Sequence, residues 1–390
     1  VKTVAEVGAS VRVGLLNVVT RAVDATESTP AVPWTNHSVA RALWEAKDGS
    51  NLGVMWTRRQ TLGAVQDFND ALGIDGSFRG AGTPWLVNGF AVFGTTGSQA
   101  GTSLKDVGGV ASPDSEAGQT RAGASASAMY RGLLWRPRLD YSWFDNGFRA
   151  DMGFFRRVGV HDASATLAYE PRFQSQDLEK LNLTIGSSTV LTARGGDVLD
   201  TSAFFDSNLI WKSGFKVGAG FSWSEITVQQ PFTVGSETTI AEGAYPMWTA
   251  ELRAGTPWVR SFAVSGDVAL RQYYGGQMVQ SSASLVLRPG GFLRVEAGGS
   301  LSRAWFDGKR PDFWAAIVNA RAAIGFTPDL NLDVFVGWNR LAGRIPVNMR
   351  LRWTWRQNSD VFLVWQGIFD DADRGSLFHS VLAKWTWSLP

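Results

Sequence analysis

Apolar and polar residues alternate in segments about ten residues long throughout this chain of 390 residues. In one such segment, PVNMRLRWTWRQ at 346–357, an extended backbone places the tryptophans on one face and the arginines on the other. Similar segments recur about every 19 residues, and convincing helical periodicity of 3.6 residues is not found. The alternation therefore predicts an all-β chain.

The length of these segments separates membrane strands from soluble strands. Strands of soluble sheets average about five or six residues, whereas a tilted strand needs about 9–11 residues to cross a bilayer. A soluble sheet of about twenty long strands would also leave its apolar face uncovered and its edges open to aggregation. Closing the sheet in lipid satisfies every backbone group. We therefore predict a single-chain transmembrane antiparallel up-and-down β-barrel of about 20 strands, with 18–22 as the range.

The connections between the predicted strands alternate between short turns and longer loops. In outer-membrane barrels the short turns are periplasmic and the longer loops are extracellular, so an even strand number places both termini in the periplasm. We predict one barrel domain over 1–390, with 97–120 as a long loop that is either extracellular or inserted in the lumen. The predicted strands are 10–22, 36–47, 50–60, 68–80, 84–96, 121–135, 137–148, 157–170, 179–193, 198–212, 215–228, 245–255, 261–274, 277–288, 292–305, 313–327, 330–340, 346–357, 359–370 and 377–389.

Composition narrows the environment and the partners. The formal net charge is +2 and the basic residues are scattered, which argues against nucleic acid as a partner. Cysteine is absent, as suits an oxidising envelope compartment. These features favour the bacterial outer membrane, with membrane lipid and lipopolysaccharide as surroundings and a possible periplasmic domain or partner protein at the N-terminal rim.

Many of the 18 tryptophans fall near the ends of predicted strands. Aromatic girdles at the two membrane interfaces have this composition. The alternative is packing in an aromatic core, where each indole N–H would need a polar partner. The predicted membrane-interface aromatics are Trp44, Trp85, Trp135, Trp211, Trp248, Trp258, Trp305, Trp314, Trp353, Trp355, Trp385 and Trp387.

Charged residues of both signs occupy the opposite side of the alternation. A mixed lining favours salt bridges between neighbouring strands over a selectivity filter, although the arginine excess of the last strands could favour anionic solutes or a docked acidic segment. The predicted lumen-lining residues are Glu251, Arg253, Asp267, Arg271, Arg294, Glu296, Arg321, Asp333, Arg350, Arg352 and Arg356.

A catalytic or metal site is not indicated. The stretch HDAS at 161–164 offers His161, Asp162 and Ser164, but neighbouring residues of a strand point to opposite faces, so no triad forms. The histidines show no metal-ligand spacing, and glycine-rich 94–120 lacks the Gly-Lys-Ser/Thr of a phosphate loop. We predict no enzyme activity, no cofactor and no metal.

Five stretches resemble the C-terminal barrel of a largely uncharacterised bacterial outer-membrane family that carries an N-terminal carbohydrate-binding domain of the family-9 type. The resemblance implies the barrel fold and such a periplasmic domain upstream, and it implies no established activity. Ala-Asp-Met at 150–152 departs from the family's usual Pro-Glu-Val. The stretches are VGASVRVGLLNVVTRA (7–22), HSVARALWEAKDGSNLGVMWTRRQ (37–60), DFNDALGIDGSFR (67–79), DNGFRADMGFFRRVG (145–159) and MRLRWTWRQNSDVFLVWQ (349–366).

Three functions follow from a barrel of this size. Because the bore grows with strand number, about 20 strands predict a large aqueous pore for solutes, with a loop or a periplasmic domain as its candidate gate. The second hypothesis is a scaffold or export subunit of an envelope complex, with its lumen occupied by a partner. The third is an outer-membrane hydrolase at His161, which nothing in the sequence requires.

Overall fold

The structure is a computed structural model that describes residues 2–23, 32–63, 67–80, 82–98, 119–155, 157–234, 238–306, 312–357 and 359–387. Across these ranges no helix is long and apolar enough to cross a membrane. Within the same ranges the regular elements are strands: β1 (Lys2–Val7), β2 (Val11–Thr20), β3 (Thr35–Glu45), β4 (Asn51–Thr61), β5 (Asp67–Arg79), β6 (Trp85–Ser98), β7 (Thr120–Tyr130), β8 (Trp135–Phe144), β9 (Val160–Tyr169), β10 (Leu178–Thr192), β11 (Val198–Trp211), β12 (Lys216–Val228), β13 (Phe232–Val234), β14 (Thr238–Ile240), β15 (Gly243–Gly255), β16 (Phe262–Tyr273), β17 (Gly276–Gly290), β18 (Leu293–Trp305), β19 (Phe313–Thr327), β20 (Leu330–Asn339), β21 (Arg344–Arg356), β22 (Ser359–Asp370) and β23 (Ser376–Thr386).

Each of the predicted strands is present, most with ends within about three residues of the predicted ones. The described residues contain three further strands. β1 pairs with β2 ahead of the first predicted strand. β13 and β14 form a separate two-stranded sheet between predicted strands 215–228 and 245–255. Both additions are short, which is why an alternation of about ten residues did not reveal them.

Twenty-one of the described strands belong to one sheet, a number inside the predicted range but not the even number on which the predicted position of both termini rested, because β1 adds a strand before β2. Strands that follow each other along the chain pair antiparallel, as in β18 and β19, where Leu293 faces Ile324 and Ala304 faces Phe313. The turns between them use glycine where the backbone needs a positive φ. Gly214, in the turn between β11 and β12, has φ +80°. This up-and-down order is the predicted one.

Contacts divide the chain into two compact units. The first comprises Val1–Tyr169 and Ile185–Ser202, and the second comprises Glu170–Thr184 and Ala203–Pro390. Strands β2 to β9 lie in the first unit, and β12 to β23 lie in the second.

The strand register in each unit separates a polar face from an apolar face. In the first unit Arg41 and Asp75 share a face and form an ion pair of 2.8 Å. In the second unit the same alternation aligns Arg253 with Asp267, and Asp333 with Arg350. We call the side that carries these charges the polar face of each unit, and the opposite side the apolar face.

The apolar face of the second unit exposes large side chains. Leu252 is 62% exposed, Trp353 is 52% exposed and Leu363 is 48% exposed, and all three project from the side opposite the charges. A continuous apolar surface of this kind needs cover from lipid or protein. Arg350 and Trp353 lie on opposite faces, as the alternation predicts.

Candidate functional site: two segments on the polar face

A segment between β8 and β9, residues 145–159, folds onto the polar face of the first unit. We call it the strap; the structure describes all of it except residue 156. Predicted strands 137–148 and 157–170 covered both of its ends, and this was wrong. β8 ends at Phe144, and Gly147 and Gly159 then adopt φ +73° and +72°, which a continuing strand does not permit.

Reciprocal hydrogen bonds to Asn69 fix the strap backbone. The Asn69 side-chain amide donates to the carbonyl oxygen of Arg149 over 2.9 Å, and the backbone N–H of Asp151 donates to Asn69 Oδ1 over 2.9 Å. Asn69 projects from β5 and is only 1% exposed. A buried amide that satisfies one acceptor and one donor of the strap specifies a single position for it.

Four charged side chains surround this contact. Arg59 of β4 forms ion pairs with Asp67 of β5 and with Asp151 of the strap, and all three are nearly buried. Arg149 closes the network with a bidentate pair to Asp151, at 2.5 Å and 2.9 Å. Two arginines thus balance two aspartates, so the buried charges are compensated.

Aromatic rings pack beneath the charged network. Phe148 of the strap is 4% exposed and lies 5.4 Å from the ring of Phe144, while Phe155 lies 4.6 Å from the same ring. Phe90 of β6 extends the cluster with a centroid separation of 6.2 Å from Phe144. Gly94 lets the strap approach β6, because a Cβ there would lie 2.9 Å from the carbonyl oxygen of Arg149.

In the second unit, the connection from β12 to β15 also folds onto the polar face. We call residues 229–242, which contain β13 and β14, the hairpin segment; its residues 235–237 are outside the described ranges. Ile240 is fully buried among Val228, Met278, Ala304 and Phe306. Four aromatic side chains surround this cluster: Tyr245, Tyr273, Tyr274 and Phe313. The register places Met278, Ala304 and Tyr273 on the same side as Arg271 and Asp267.

The predicted lumen-lining residues largely share the polar face of the second unit. Arg352 pairs with Asp360 at 2.9 Å, and Arg350 lies 4.7 Å above the ring of Phe362. Arg356 follows a bulge after Thr354, so the alternation is interrupted before it. Whether these residues line a lumen stays a prediction. The other ion pairs of this set are Arg253 with Asp206 and Glu251, Arg294 with Glu296, and Arg321 with Asp333.

The predicted interface tryptophans concentrate at the rim with the short turns. Trp258 lies in the turn between β15 and β16, Trp248 lies in the middle of β15, and two lie at the opposite ends of their strands: Trp305 and Trp314. The strand-borne ones project from the apolar face by alternation, and several are exposed to 39–66%. Their membrane depth stays a prediction. At the short-turn rim lie Trp44, Trp85, Trp135, Trp211, Trp353, Trp355, Trp385 and Trp387.

The side chains of the stretch HDAS at 161–164 alternate between the two faces of β9, as predicted. His161 lies on the apolar face, where its Nδ1 is 2.8 Å from the Tyr141 hydroxyl, while Asp162 and Ser164 share the other face. Over the described ranges, no group of three or more histidine, aspartate or glutamate side chains could hold a metal ion. These contacts assemble no catalytic triad.

Sequence reasoning missed both segments on the polar face. It placed the possible internal loop at 97–120, whose residues 99–118 lie outside the described ranges. The missed signal is the composition of the strap: DNGFRADMGFF combines three phenylalanines with charges of both signs. Solvated loops rarely carry so many large apolar side chains.

Comparison with solved structures reveals similar folds. The chain is similar to a mutant of the ferric enterobactin receptor PfeA of Pseudomonas aeruginosa, with a TM-score of 0.56 and 11% identity over 97% of this chain and 72% of that one. It is also similar to the siderophore receptor PirA of Acinetobacter baumannii, with a TM-score of 0.56 and 9% identity over 98% of this chain and 74% of that one. PirA of Pseudomonas aeruginosa gives a TM-score of 0.57 and 10% identity, over 98% and 75%.

Neither a family model nor a curated protein matches the sequence. The resemblance to the carbohydrate-binding-associated family therefore stays a prediction. The structural neighbours are outer-membrane barrel receptors, and the likeness extends over almost the whole chain. It confirms the predicted fold class, an antiparallel up-and-down β-barrel of the outer-membrane type.

Proposed function

We propose that the chain is an outer-membrane channel through which a solute passes. The apolar face would contact hydrocarbon, and the polar face would line the aqueous interior, as in barrels of this kind. The structural neighbours are siderophore receptors, which supports transport across that membrane, while identities of 9–11% leave the solute open.

The strap is the observation that best supports a channel. It occupies the polar face of β4 to β6 through Asn69 and Arg59, so it would reduce the free cross-section of the channel. A segment held by specific contacts narrows a bore without closing it by itself, which is what a selective pore requires. The channel would also show weak ion preference, because most arginines of the second unit's polar face are paired with carboxylates.

Single-channel recording in planar bilayers tests the proposal. The wild-type protein is expected to give steady current steps. Asn69→Ala, which removes both hydrogen bonds of the Asn69 side chain to the strap backbone, should increase the conductance. Arg138→Ala is the control, because its pair with Asp140 lies on β8 outside the strap. A protein that reconstitutes in folded form but stays silent, or equal conductance of wild type and Asn69→Ala, would contradict the proposal.

A second candidate function rests on an apolar strip among the charges. On β22 and β23, Phe362, Val364, Phe378 and Leu382 share the face that carries Asp360. Phe378 is 51% exposed and Leu382 is 61% exposed. Exposed apolar groups on this face favour a scaffold whose interior holds a partner protein. The two functions separate in the same recording: a scaffold stays silent until the partner is stripped, whereas a channel conducts without that step.

The orientation is part of the proposal. The rim with the short turns would face the periplasm, since barrels of this kind have short periplasmic turns and longer external loops. The C-terminal end of β23 lies at that rim. Protease added to intact cells should cut the longer loops and spare a tag placed after residue 390; cleavage of that tag would reverse the orientation.

A further inference from the structure

The apolar face of the first unit carries a polar patch where an apolar band is expected. We call it the outer polar patch. In it, Asn17 donates to Asn36 Oδ1 and to Ser38 Oγ, each over 2.8 Å. The patch consists of Asn17 on β2, Asn36 and Ser38 on β3, Arg58 and Gln60 on β4, and Asp70 on β5.

The strand register places the patch on the apolar face. Ser38 pairs with Arg58, and Arg58 pairs with Asp70, so these three side chains share one side. The polar face uses the alternate positions, where Arg59 meets Asn69. Arg58 Nη1 lies 3.3 Å from Asp70 Oδ2, with 36% and 27% of the two side chains exposed, and Arg58 Nε donates to Gln60 Oε1 over 3.2 Å.

Two exposed tryptophans define the depth of the patch. Trp44, near the end of β3, is 48% exposed, and Trp34, just before β3, is 47% exposed. Alternation puts both on the apolar face, and the ladder continues past β3 because the N–H of Leu62 donates to the Trp34 carbonyl oxygen over 2.7 Å. A strand tilted by about 40° climbs about 2.5 Å per residue, so the two rings are about 25 Å apart in depth, the height of the apolar band of such barrels.

If the chain spans the outer membrane as proposed above, the patch therefore falls inside the hydrocarbon layer. Ser38 lies between the two tryptophans, about 15 Å in depth from Trp44 at the same climb per residue. The second unit shows what an uninterrupted band looks like. On β21 the outward positions from Ile345 to Trp355 are all apolar. Amide, guanidinium and carboxylate groups at membrane depth are costly unless another polar surface covers them.

The charges and hydrogen-bonding groups of the patch are complementary to those of a second copy of the same patch. It carries one guanidinium and one carboxylate, so its formal charge is zero, and its amides and hydroxyl both donate and accept. A two-fold axis through such a patch presents Asp70 of one copy to Arg58 of the other. The outward residues next to the patch on β3 are Ala40 and Ala42, whose small side chains allow two walls to approach closely.

We propose that the outer polar patch on β2 to β5 is a lateral interface with a second copy of this chain in the membrane. The interface buries the polar groups against each other and continues over the small side chains of β3. It does not use the strap or the polar face, so it is independent of solute passage.

Thiol cross-linking in the native membrane tests the interface. Because the chain contains no cysteine, a single Ser38→Cys variant places one thiol at the patch, and Ala320→Cys places one on the apolar face of β19 as a control. A short thiol-to-thiol cross-linker should give a band of twice the chain mass for Ser38→Cys and none for Ala320→Cys. Adding Arg58→Leu and Asp70→Leu to Ser38→Cys should abolish that band.

Three outcomes would overturn the proposal: no band of twice the chain mass, an equally strong band from Ala320→Cys, or a band that contains a different protein. Each sample is first shown to be folded by its heat-dependent migration in detergent gels. Ala42→Cys is the second probe if Ser38→Cys does not fold.

Discussion

The strap and the hairpin segment both lie on the polar face of their units, but different forces hold them. The strap is fixed by ion pairs through Arg59 and by hydrogen bonds through Asn69. The hairpin segment is fixed by apolar contacts around Ile240, which is 0% exposed. The position of the strap therefore depends on hydrogen-bond geometry and charge, and the position of the hairpin segment depends on the burial of apolar side chains.

The difference follows from what the neighbouring strands offer. Beneath the strap, β4 and β5 present Arg59 and Asp67, which are buried and need charged partners. Beneath the hairpin segment, β17 and β18 present Met278 and Ala304, which gain from the exclusion of water. A charged contact becomes costly as soon as one partner leaves, whereas an apolar contact weakens in proportion to the area lost. We therefore expect the strap to move as a unit and the hairpin segment to loosen gradually.

The largest effect should come from Arg59→Ala. The change removes the nearly buried guanidinium that pairs with both Asp67 and Asp151 and leaves them only the more exposed Arg149; breaking a buried pair costs about 3–5 kcal/mol. Protease should then cut within the strap of the folded protein, and the urea midpoint of unfolding should fall. Arg12→Ala is the control, because its pair with Glu45 is 49% and 43% exposed and should contribute little to stability. Equal cleavage in the two variants would show that Arg59 does not hold the strap.

The second effect should come from Ile240→Ala in the hairpin segment. Removing a fully buried isoleucine side chain costs about 2–5 kcal/mol through lost burial and the cavity left behind. Hydrogen exchange of the backbone amides near Val234 and Tyr245 should accelerate, while exchange in the strap stays unchanged. Phe232→Ala is the control, since that ring is already 38% exposed. Equal acceleration in both segments would mean that they are not independent.

A smaller effect should come from Gly94→Ala on β6. The added methyl group would meet the carbonyl oxygen of Arg149 at 2.9 Å and the Phe148 ring at 3.3 Å, and overpacking of this size costs about 1–3 kcal/mol. Strap cleavage by protease should rise, though less than in Arg59→Ala. Gly73→Ala is the matched control, because the atom nearest its new methyl group, the carbonyl oxygen of Ala91, lies 3.4 Å away. If both alanine variants resist protease as the wild type does, the strap does not press on β6.

The strands were predictable because the alternation of apolar and polar residues that identifies each one lies within a single short segment of the sequence. A period of two over about ten residues identifies β19 at 313–327 without knowledge of any other strand, and the alternation on β21 assigns Arg350 and Trp353 to opposite faces. The extra strands escaped because β1, β13 and β14 have six, three and three residues. Their pairing depends on neighbours and not on a pattern of their own.

The strap was not predictable because its contacts are long-range. Asn69 meets Arg149 across 80 positions of sequence, and Arg59 meets Asp151 across 92. Only the register of β4 to β9 brings them together. The outer polar patch was visible in principle, since Asn36 and Ser38 interrupt the apolar alternation between Trp34 and Trp44. Its meaning required knowing that Arg58 and Asp70 sit beside them.

The smallest effect should come from salt, and it separates the two segments most directly. Raising the ionic strength from about 0.1 M to about 1 M shortens the screening length from about 10 Å to about 3 Å. The Arg149 pairs should weaken because that side chain is 30% exposed, by less than about 1 kcal/mol, while the nearly buried Arg59 pairs change less.

The hairpin segment has no charge to screen in its cluster, so salt should leave it unchanged or tighten it slightly. Hydrogen exchange measured on one sample at both salt concentrations compares the segments without a substitution. We expect faster exchange at Asp151 and no acceleration around Val234. Acceleration at both sites would point to a general loosening of the sheet, and acceleration only at Val234 would reverse the assignment of the two forces.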